Sequence, residues 1–131
     1  MDKKHILVIE DDRSIIELLQ VTLTEAGFLF SFATDGDSAR DRLSETKPDI
    51  IIIDMMLPNT NGFEILKSLQ SKEHGNVPVF VISGALTDEE FRRMILFEPN
   101  VKEYLTKPLK IDLLLSKIYH VLDIEPSSGN S

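Results

Sequence analysis

Four consecutive isoleucines at positions 50–53 constrain the fold of this chain more than any other feature of its sequence. A strand that is buried on one face only alternates apolar and polar side chains, and this run has no polar position. We therefore expect a strand over residues 49–54 that is covered on both faces. Such a strand lies inside a sheet with helices packed on either side.

Short β-branched runs alternate with amphipathic stretches along the rest of the chain. Residues 6–9, 28–33, 77–82 and 101–105 are predicted to form four further strands. Helices are predicted from Ser14 to Gly27, over residues 37–45, 62–71 and 109–122, and from Thr87 onward. Five strands alternating with five helices predict the α/β class, with right-handed crossovers and a parallel sheet that has helices on both faces.

The first two helices carry local signals in the sequence. Ser14 and Glu17 have the spacing of a capping box, and Gly27 stands where a helix would end. In the second helix, Ala39 and Leu43 are predicted to face inward. The buried stripe of the first helix is predicted to comprise Ile15, Ile16, Leu18, Leu19 and Leu23.

Composition excludes several classes of protein. The 131 residues fit one domain, which we expect over residues 1–124, with a flexible tail or truncated linker at 125–131. The absence of cysteine excludes disulfide, zinc-thiolate and thiol chemistry. A net charge of −8 disfavours direct binding to nucleic acid. No apolar run reaches the roughly 20 residues of a membrane span, and the polar start lacks the apolar region of a signal peptide, so we expect no membrane association. The absence of cysteine fits a reducing cytosol, and we expect a cytoplasmic location.

Polar side chains lie at the ends of four of the predicted strands. Glu10 and Asp11 come after the first strand, Asp54 ends the third, Ser83 comes after the fourth and Lys107 after the fifth. The carboxyl ends of parallel strands meet at one edge of a sheet, which is where such folds bind ligands. Three carboxylates at that edge repel each other, and a hard divalent cation such as Mg²⁺ would hold them together. Lys107 can contact a phosphate oxygen, and Asp54 can act as the nucleophile. These residues together suit phosphoryl transfer.

Each of these residues also has a structural explanation. Glu10 and Asp11 could be solvated loop residues, and Asp54 a turn or cap residue. Ser83 could belong to a simple turn, and the pair Lys107-Pro108 could begin a helix with proline in its first turn. The coincidence of such residues at four strand ends favours a functional site.

Four segments carry a resemblance to a known family: HILVIEDD at 5–12, PDIIIIDMMLP at 48–58 followed by Asn61 and Gly62, PVFVIS at 78–83, and YLTKP at 104–108. Over residues 4–122 the chain resembles the receiver domain of two-component response regulators. The resemblance implies a CheY-like, flavodoxin-like sheet with strand order 2-1-3-4-5.

The resemblance also implies a role for each residue of the site. Asp54 matches the phosphoacceptor and a metal ligand, and Asp11 matches the direct metal ligand. Glu10 would act through metal-bound water, and the backbone carbonyl of Met56 would supply a further oxygen to Mg²⁺, with Mn²⁺ as an alternative. Asp12, a third acid beside the pair, is interpreted as a solvated or capping residue.

The implied switch lies beside the phosphoacceptor. Ser83 matches the switch hydroxyl and Tyr104 the switch aromatic residue. Lys107 matches the lysine that contacts the phosphate, and its bond to Pro108 is often cis in the family.

The family mechanism implies the partners. A histidine kinase or a histidine phosphotransfer protein would donate the phosphoryl group, and the face of the fourth helix, fifth strand and fifth helix would change. A downstream protein or a fused output domain would bind this face, and a homodimer through it is a further option. The chain would not be an enzyme beyond assisting its own phosphorylation and dephosphorylation.

The sequence departs from the family pattern in places. Asn100-Val101 stands where Gly-Ala is usual, and asparagine tolerates a positive φ. Pro99 is expected to end the fourth helix. Met56 and Ala85 flank the acceptor, and our hypothesis is that they position no attacking water, so that dephosphorylation is slow.

Three other functions are alternatives for a chain of this architecture. A haloacid-dehalogenase-like phosphatase needs a second aspartate two residues after the first, where this chain has Met56. A flavodoxin-like FMN carrier needs hydroxyls and glycine in its first loop, but the acids at 10–12 would repel the flavin phosphate. A non-phosphorylated receiver-fold interaction module would not need the site residues, all of which are present.

Overall fold

The computed structural model describes residues 3–57, 62–69, 76–84 and 89–126. Strands and helices alternate in these residues as the sequence predicts, and no boundary differs from the predicted one by more than three residues. The elements are β1 (His5–Ile9), α1 (Arg13–Glu25), β2 (Leu29–Ala33), α2 (Gly36–Thr46), β3 (Ile50–Asp54), α3 (Gly62–Ser68), β4 (Val79–Ser83), α4 (Glu89–Leu96), β5 (Val101–Thr106) and α5 (Ile111–Leu122).

The five strands form one parallel sheet in the order β2-β1-β3-β4-β5, which confirms the predicted fold class and strand order. β3 lies at the centre of this sheet. Its four isoleucines are all fully buried, as their unbroken apolar pattern predicts.

Alternate isoleucines of β3 enter two separate cores. Ile51 and Ile53 pack into a cluster with apolar residues of α2, α3 and α4, and Ile50 and Ile52 pack into a cluster with residues of α1 and α5. Successive side chains of a strand point to opposite faces, so a run of apolar residues serves both cores at once. The prediction of helices on both faces is therefore confirmed.

The prediction of a capping box at the start of α1 is wrong. Asp12 is the N-cap, and its carboxylate accepts hydrogen bonds from the backbone N–H groups of Ser14 and Ile15. Asp12 has the extended backbone that an N-cap needs, so the N-cap lies two residues before Ser14, the predicted one. Leu18, predicted to be buried, is half-exposed, whereas Gly27 follows the helix with φ +97° as predicted.

The remaining helix ends also differ in detail. α5 begins at Ile111, so Pro108 is not in its first turn, and the Lys107–Pro108 bond is cis. Ala39 and Leu43 are buried as predicted.

The sequence allowed a positive φ at Asn100 in the turn before β5, but the structure does not have one there. Instead the Asn100 amide donates to the carbonyl of Val77 at 3.4 Å.

Several predictions fall on residues outside the described ranges. They concern Pro58, Asn61, Ala85, the opening of the fourth helix at Thr87, and most of the predicted tail at 125–131. In the part of the chain that is described, no helix has both the length and the apolarity needed to cross a bilayer.

Candidate functional site

The carboxyl ends of the central strands bring three of the predicted side chains together. Glu10 follows β1, Asp54 ends β3, and Lys107 follows β5. Glu10 and Asp54 are buried although both are acids, whereas Asp11 is exposed at the rim. Buried carboxylates are costly unless they are paired and hydrogen-bonded, so their partners decide what the site can do.

Both oxygens of Asp54 have a partner. Oδ2 accepts a hydrogen bond from Lys107 Nζ at 2.7 Å, and Oδ1 accepts one from the backbone N–H of Met56 at 2.8 Å. The lysine contact is a charge-assisted hydrogen bond of the stronger kind. The Asp54 carboxylate is therefore held in a fixed orientation at the strand end.

Glu10 is only partly satisfied. Its Oε1 accepts from the backbone N–H groups of Asp11 and Asp12, both at 3.1 Å. Its Oε2 lies 3.5 Å from Lys107 Nζ and has no hydrogen-bond partner among the described residues. Burial and the neighbouring Asp54 carboxylate raise the pKa of Glu10 to about 7, although the Asp12 N–H and Lys107 oppose this.

Lys107 is the cation that these two carboxylates share. Burial alone would lower its pKa, but the hydrogen bond to Asp54 and the charge of Glu10 outweigh burial, so the pKa is raised. The side chain therefore remains charged. One positive charge faces Glu10 and Asp54, and the carboxylate of Asp11 lies beside them.

The acidic residues fit a hard divalent cation. Glu10, Asp11 and Asp54 each offer a carboxylate oxygen, and these oxygens lie within 4.8 Å of one another. An oxygen-only ligand set with an excess of negative charge is what Mg²⁺ prefers. Glu10 Oε2, which is buried and accepts no hydrogen bond from the residues that the structure describes, has capacity left for such an ion or for its water. The backbone N–H of Met56 donates a hydrogen bond to Asp54, and the Met56 side chain is exposed. That the Met56 carbonyl binds the metal stays a prediction.

Ser83 and Tyr104 lie next to this site on β4 and β5. Ser83 is fully buried, its Oγ has no hydrogen-bond partner among the residues described, and its carbonyl accepts from the Lys107 N–H at 2.9 Å. Tyr104 pairs in register with Val81, two residues before Ser83. Its ring is partly buried and packs against the core cluster that contains Ile51.

Sequence reasoning missed one residue at the edge of this region. The guanidinium of Arg92 on α4 lies 5.5 Å from the centroid of the Tyr104 ring. No sequence signal marks Arg92, because an exposed arginine on a helix is ordinary and its contact depends on how α4 packs on the sheet. Asp12, which was predicted to be either a solvated or a capping residue, is the N-cap of α1.

Comparison with known proteins identifies the class. The family model for the response regulator receiver domain matches residues 6–119. The chain therefore belongs to the receiver domain family of two-component response regulators. This membership does not support the phosphatase and flavin-carrier alternatives.

Individual relatives agree with this assignment. The chain is 37% identical over 105 residues to the alkaline phosphatase synthesis transcriptional regulatory protein PhoP of Bacillus subtilis, covering 80% of this chain and 42% of the relative. It is 32% identical over 118 residues to the regulatory protein VanRB of Enterococcus faecalis, covering 90% of this chain and 52% of the relative. The chain thus spans about half the length of these curated relatives.

Solved structures agree on the fold. The receiver domain of the Francisella response regulator 1452 is 31% identical and superposes with a TM-score of 0.81 over 92% of this chain and 98% of that one. The chemotaxis response regulator CheY4 of Vibrio cholerae is 25% identical, with a TM-score of 0.81 over 92% of this chain and 99% of that one.

Proposed function

We propose that this receiver domain accepts a phosphoryl group on Asp54 from a phosphohistidine of a histidine kinase or histidine phosphotransfer protein, in a reaction that depends on Mg²⁺. The observation that carries the proposal is the contact of Asp54 with Lys107 at 2.7 Å inside a cluster of three acids. Family membership supports the same assignment.

The chemistry requires one bond to form and one to break. An Asp54 carboxylate oxygen attacks phosphorus, the O–P bond forms, and the P–N bond of the phosphohistidine breaks with its electron pair returning to the imidazole. Lys107 then neutralises an oxygen of the transferred group, which it can reach because it already contacts Asp54. A bound Mg²⁺, held by Asp11, Asp54 and, through water, Glu10, would supply charge neutralisation for the phosphoryl oxygens.

The phosphoryl group would be sensed through Ser83 and Tyr104. Ser83 Oγ is buried without a hydrogen-bond partner among the described residues, so a new phosphoryl oxygen offers it the acceptor it lacks. Movement of Ser83 would leave space into which the Tyr104 ring turns. The two arrangements then differ in their contacts with the phosphate, which is what a ligand-driven switch requires.

The surface that reads the switch would be the face formed by α4, β5 and α5. A cleft of about 330 Å³ opens there, lined by residues that include Arg92, Tyr104, Lys110, Leu113 and Lys117. Residues 92–117 hold six basic and three acidic residues, although the whole chain carries −8. An output domain or a downstream protein is the proposed occupant, and a second copy of the chain is the other candidate.

The phosphorylated state is expected to be long-lived. The side chain of Met56 is exposed and apolar, so it offers no hydrogen bond to orient an attacking water. Ala85, the other flanking residue, lies outside the described ranges. The domain would act on itself only, assisting its own phosphorylation and dephosphorylation.

Labelling with acetyl phosphate and Mg²⁺, followed by intact-mass measurement, tests the proposal. The parent should gain the mass of one phosphoryl group, and Asp54→Asn should gain none. Asp41→Asn, which removes an exposed acid from α2, serves as the matched control and should label like the parent. Equal labelling of the parent and Asp54→Asn would overturn the proposal. No labelling of a folded parent would favour a non-phosphorylated interaction module.

A further inference from the structure

Arg92 makes a contact that the proposed phosphoryl chemistry does not use. It lies on the exposed side of α4, and its guanidinium sits over the Tyr104 ring at 5.5 Å from the centroid. This distance is within the roughly 6 Å over which a cation is attracted to an aromatic face. Arg92 also pairs with Glu89 on the same helix, at 3.9 Å.

The neighbouring Arg93 provides an internal comparison. Both arginines are exposed, and both belong to α4. Successive residues of an α-helix are rotated by about 100° around its axis, so Arg93 cannot occupy the same place over the ring. A charge effect of α4 in general and a specific contact of Arg92 can therefore be separated by experiment.

The contact of Arg92 with the Tyr104 ring occurs together with a direct contact between Lys107 and the Asp54 carboxylate. Asp54 Oδ2 accepts directly from Lys107, and Ser83 Oγ has not acquired a hydrogen-bond acceptor in the described part of the chain. In the proposed switch the Tyr104 ring turns toward the space that Ser83 leaves. The ring face would then leave its position beneath Arg92.

We propose that Arg92 is a positioning residue that holds Tyr104 in the arrangement belonging to unphosphorylated Asp54. Arg92 thereby sets how readily the domain switches. This inference rests on the proposed function and deepens it. A contact present in only one of two conformations shifts their equilibrium by its own strength. For an exposed cation–π pair, that shift is about two- to fivefold.

The test compares Arg92→Gln, Arg92→Lys and Arg93→Gln in a Tyr119→Phe background. The chain has two tyrosines, so this background leaves Tyr104 as the only one. NMR resonances of the Tyr104 ring, recorded without metal, report whether the contact exists. Titration with beryllofluoride and Mg²⁺, an analogue of the phosphoryl group, reports the switching equilibrium. Thermal unfolding confirms that each variant is folded.

Arg92→Gln should shift the ring resonances and tighten beryllofluoride binding by about two- to fivefold. Arg92→Lys should lie between Arg92→Gln and the parent, because an ammonium group also binds aromatic faces. Arg93→Gln should resemble the parent in both measurements. Unchanged or weaker binding in Arg92→Gln would overturn the inference, as would an equal effect of Arg93→Gln.

A double-variant cycle shows whether Arg92 acts through the ring. In a Tyr104→Leu background, Arg92→Gln should change beryllofluoride binding no further, since the aromatic face is gone. A full effect in that background would overturn the inference. If the folded parent binds no beryllofluoride, or binds it equally after Asp54→Asn, the proposed function fails and this inference fails with it. Normal parent binding that Arg92→Gln leaves unchanged overturns this inference alone.

Discussion

Removing the positive charge of Lys107 should destabilise the metal-free domain. The change Lys107→Met keeps most of the apolar stem but leaves Asp54 and Glu10, both buried, without their shared cation. At an effective dielectric constant of about 20, unit charges 2.7 Å apart attract by roughly 6 kcal/mol, before the cost of removing them from water. Since Lys107 is 28% exposed, we expect a net loss of about 3 kcal/mol in the free energy of unfolding.

Urea unfolding followed by circular dichroism, with a chelator present, measures this loss. The matched control is Lys102→Met, which removes an exposed lysine from β5, the strand that precedes Lys107, and should change stability by less than about 0.5 kcal/mol. Adding Asp54→Asn to Lys107→Met should recover much of the lost stability, because a neutral amide then replaces the carboxylate that was left without a cation. The loss should also be smaller at about pH 6 than at about pH 8, because Glu10, whose pKa is raised to about 7, takes up a proton.

Two results would refute this reasoning. One is a Lys107→Met protein as stable as Lys102→Met. The other is a double variant, Lys107→Met with Asp54→Asn, that is less stable than Lys107→Met alone. Either result would mean that Lys107 does not offset the repulsion between the buried carboxylates.

Three further predictions follow from individual contacts. Burial lowers the pKa of His5, although the charge of Asp49 opposes this, so the unfolded chain binds the proton more tightly than the folded one. The free energy of unfolding should therefore fall as the pH drops below about 6.5. In urea unfolding, His5→Gln should make this dependence on pH less steep. Asp12→Ala should cost about 1 kcal/mol in chemical unfolding, whereas Ser14→Ala should cost much less, and equal costs would contradict the observed N-cap. Phosphate release from the labelled domain should be slow, because Met56 orients no water, and a lifetime of seconds would refute this.

The central strand and the strand-end residues could be predicted because their signals are local. The isoleucine run reports burial on both faces directly, since a strand has a repeat of two residues. A parallel sheet brings its strand ends to one edge, so Glu10, Asp54 and Lys107 could be placed near one another without coordinates. The structure then supplied the distances.

Other features depend on competition or on long-range packing. Asp12 and Ser14 are both good N-cap residues, and the extended backbone after β1 decided in favour of Asp12. The Arg92–Tyr104 contact joins α4 to β5, and the ion pair of Lys67 with Glu98, 3.2 Å long, joins α3 to the turn before β5. Such contacts depend on the rotation of a helix against its neighbours, which the sequence pattern of one element does not encode.

Reduction of the acyl phosphate shows directly which carboxylate carries the phosphoryl group. The domain should be treated with acetyl phosphate and Mg²⁺ and then with borohydride, which reduces an acyl phosphate and converts the modified aspartate into homoserine. Peptide mass spectrometry should find homoserine at position 54 and at no other acid, and omission of Mg²⁺ should abolish it. Homoserine at Asp11 instead, or a reduced product that survives in Asp54→Asn, would contradict the account.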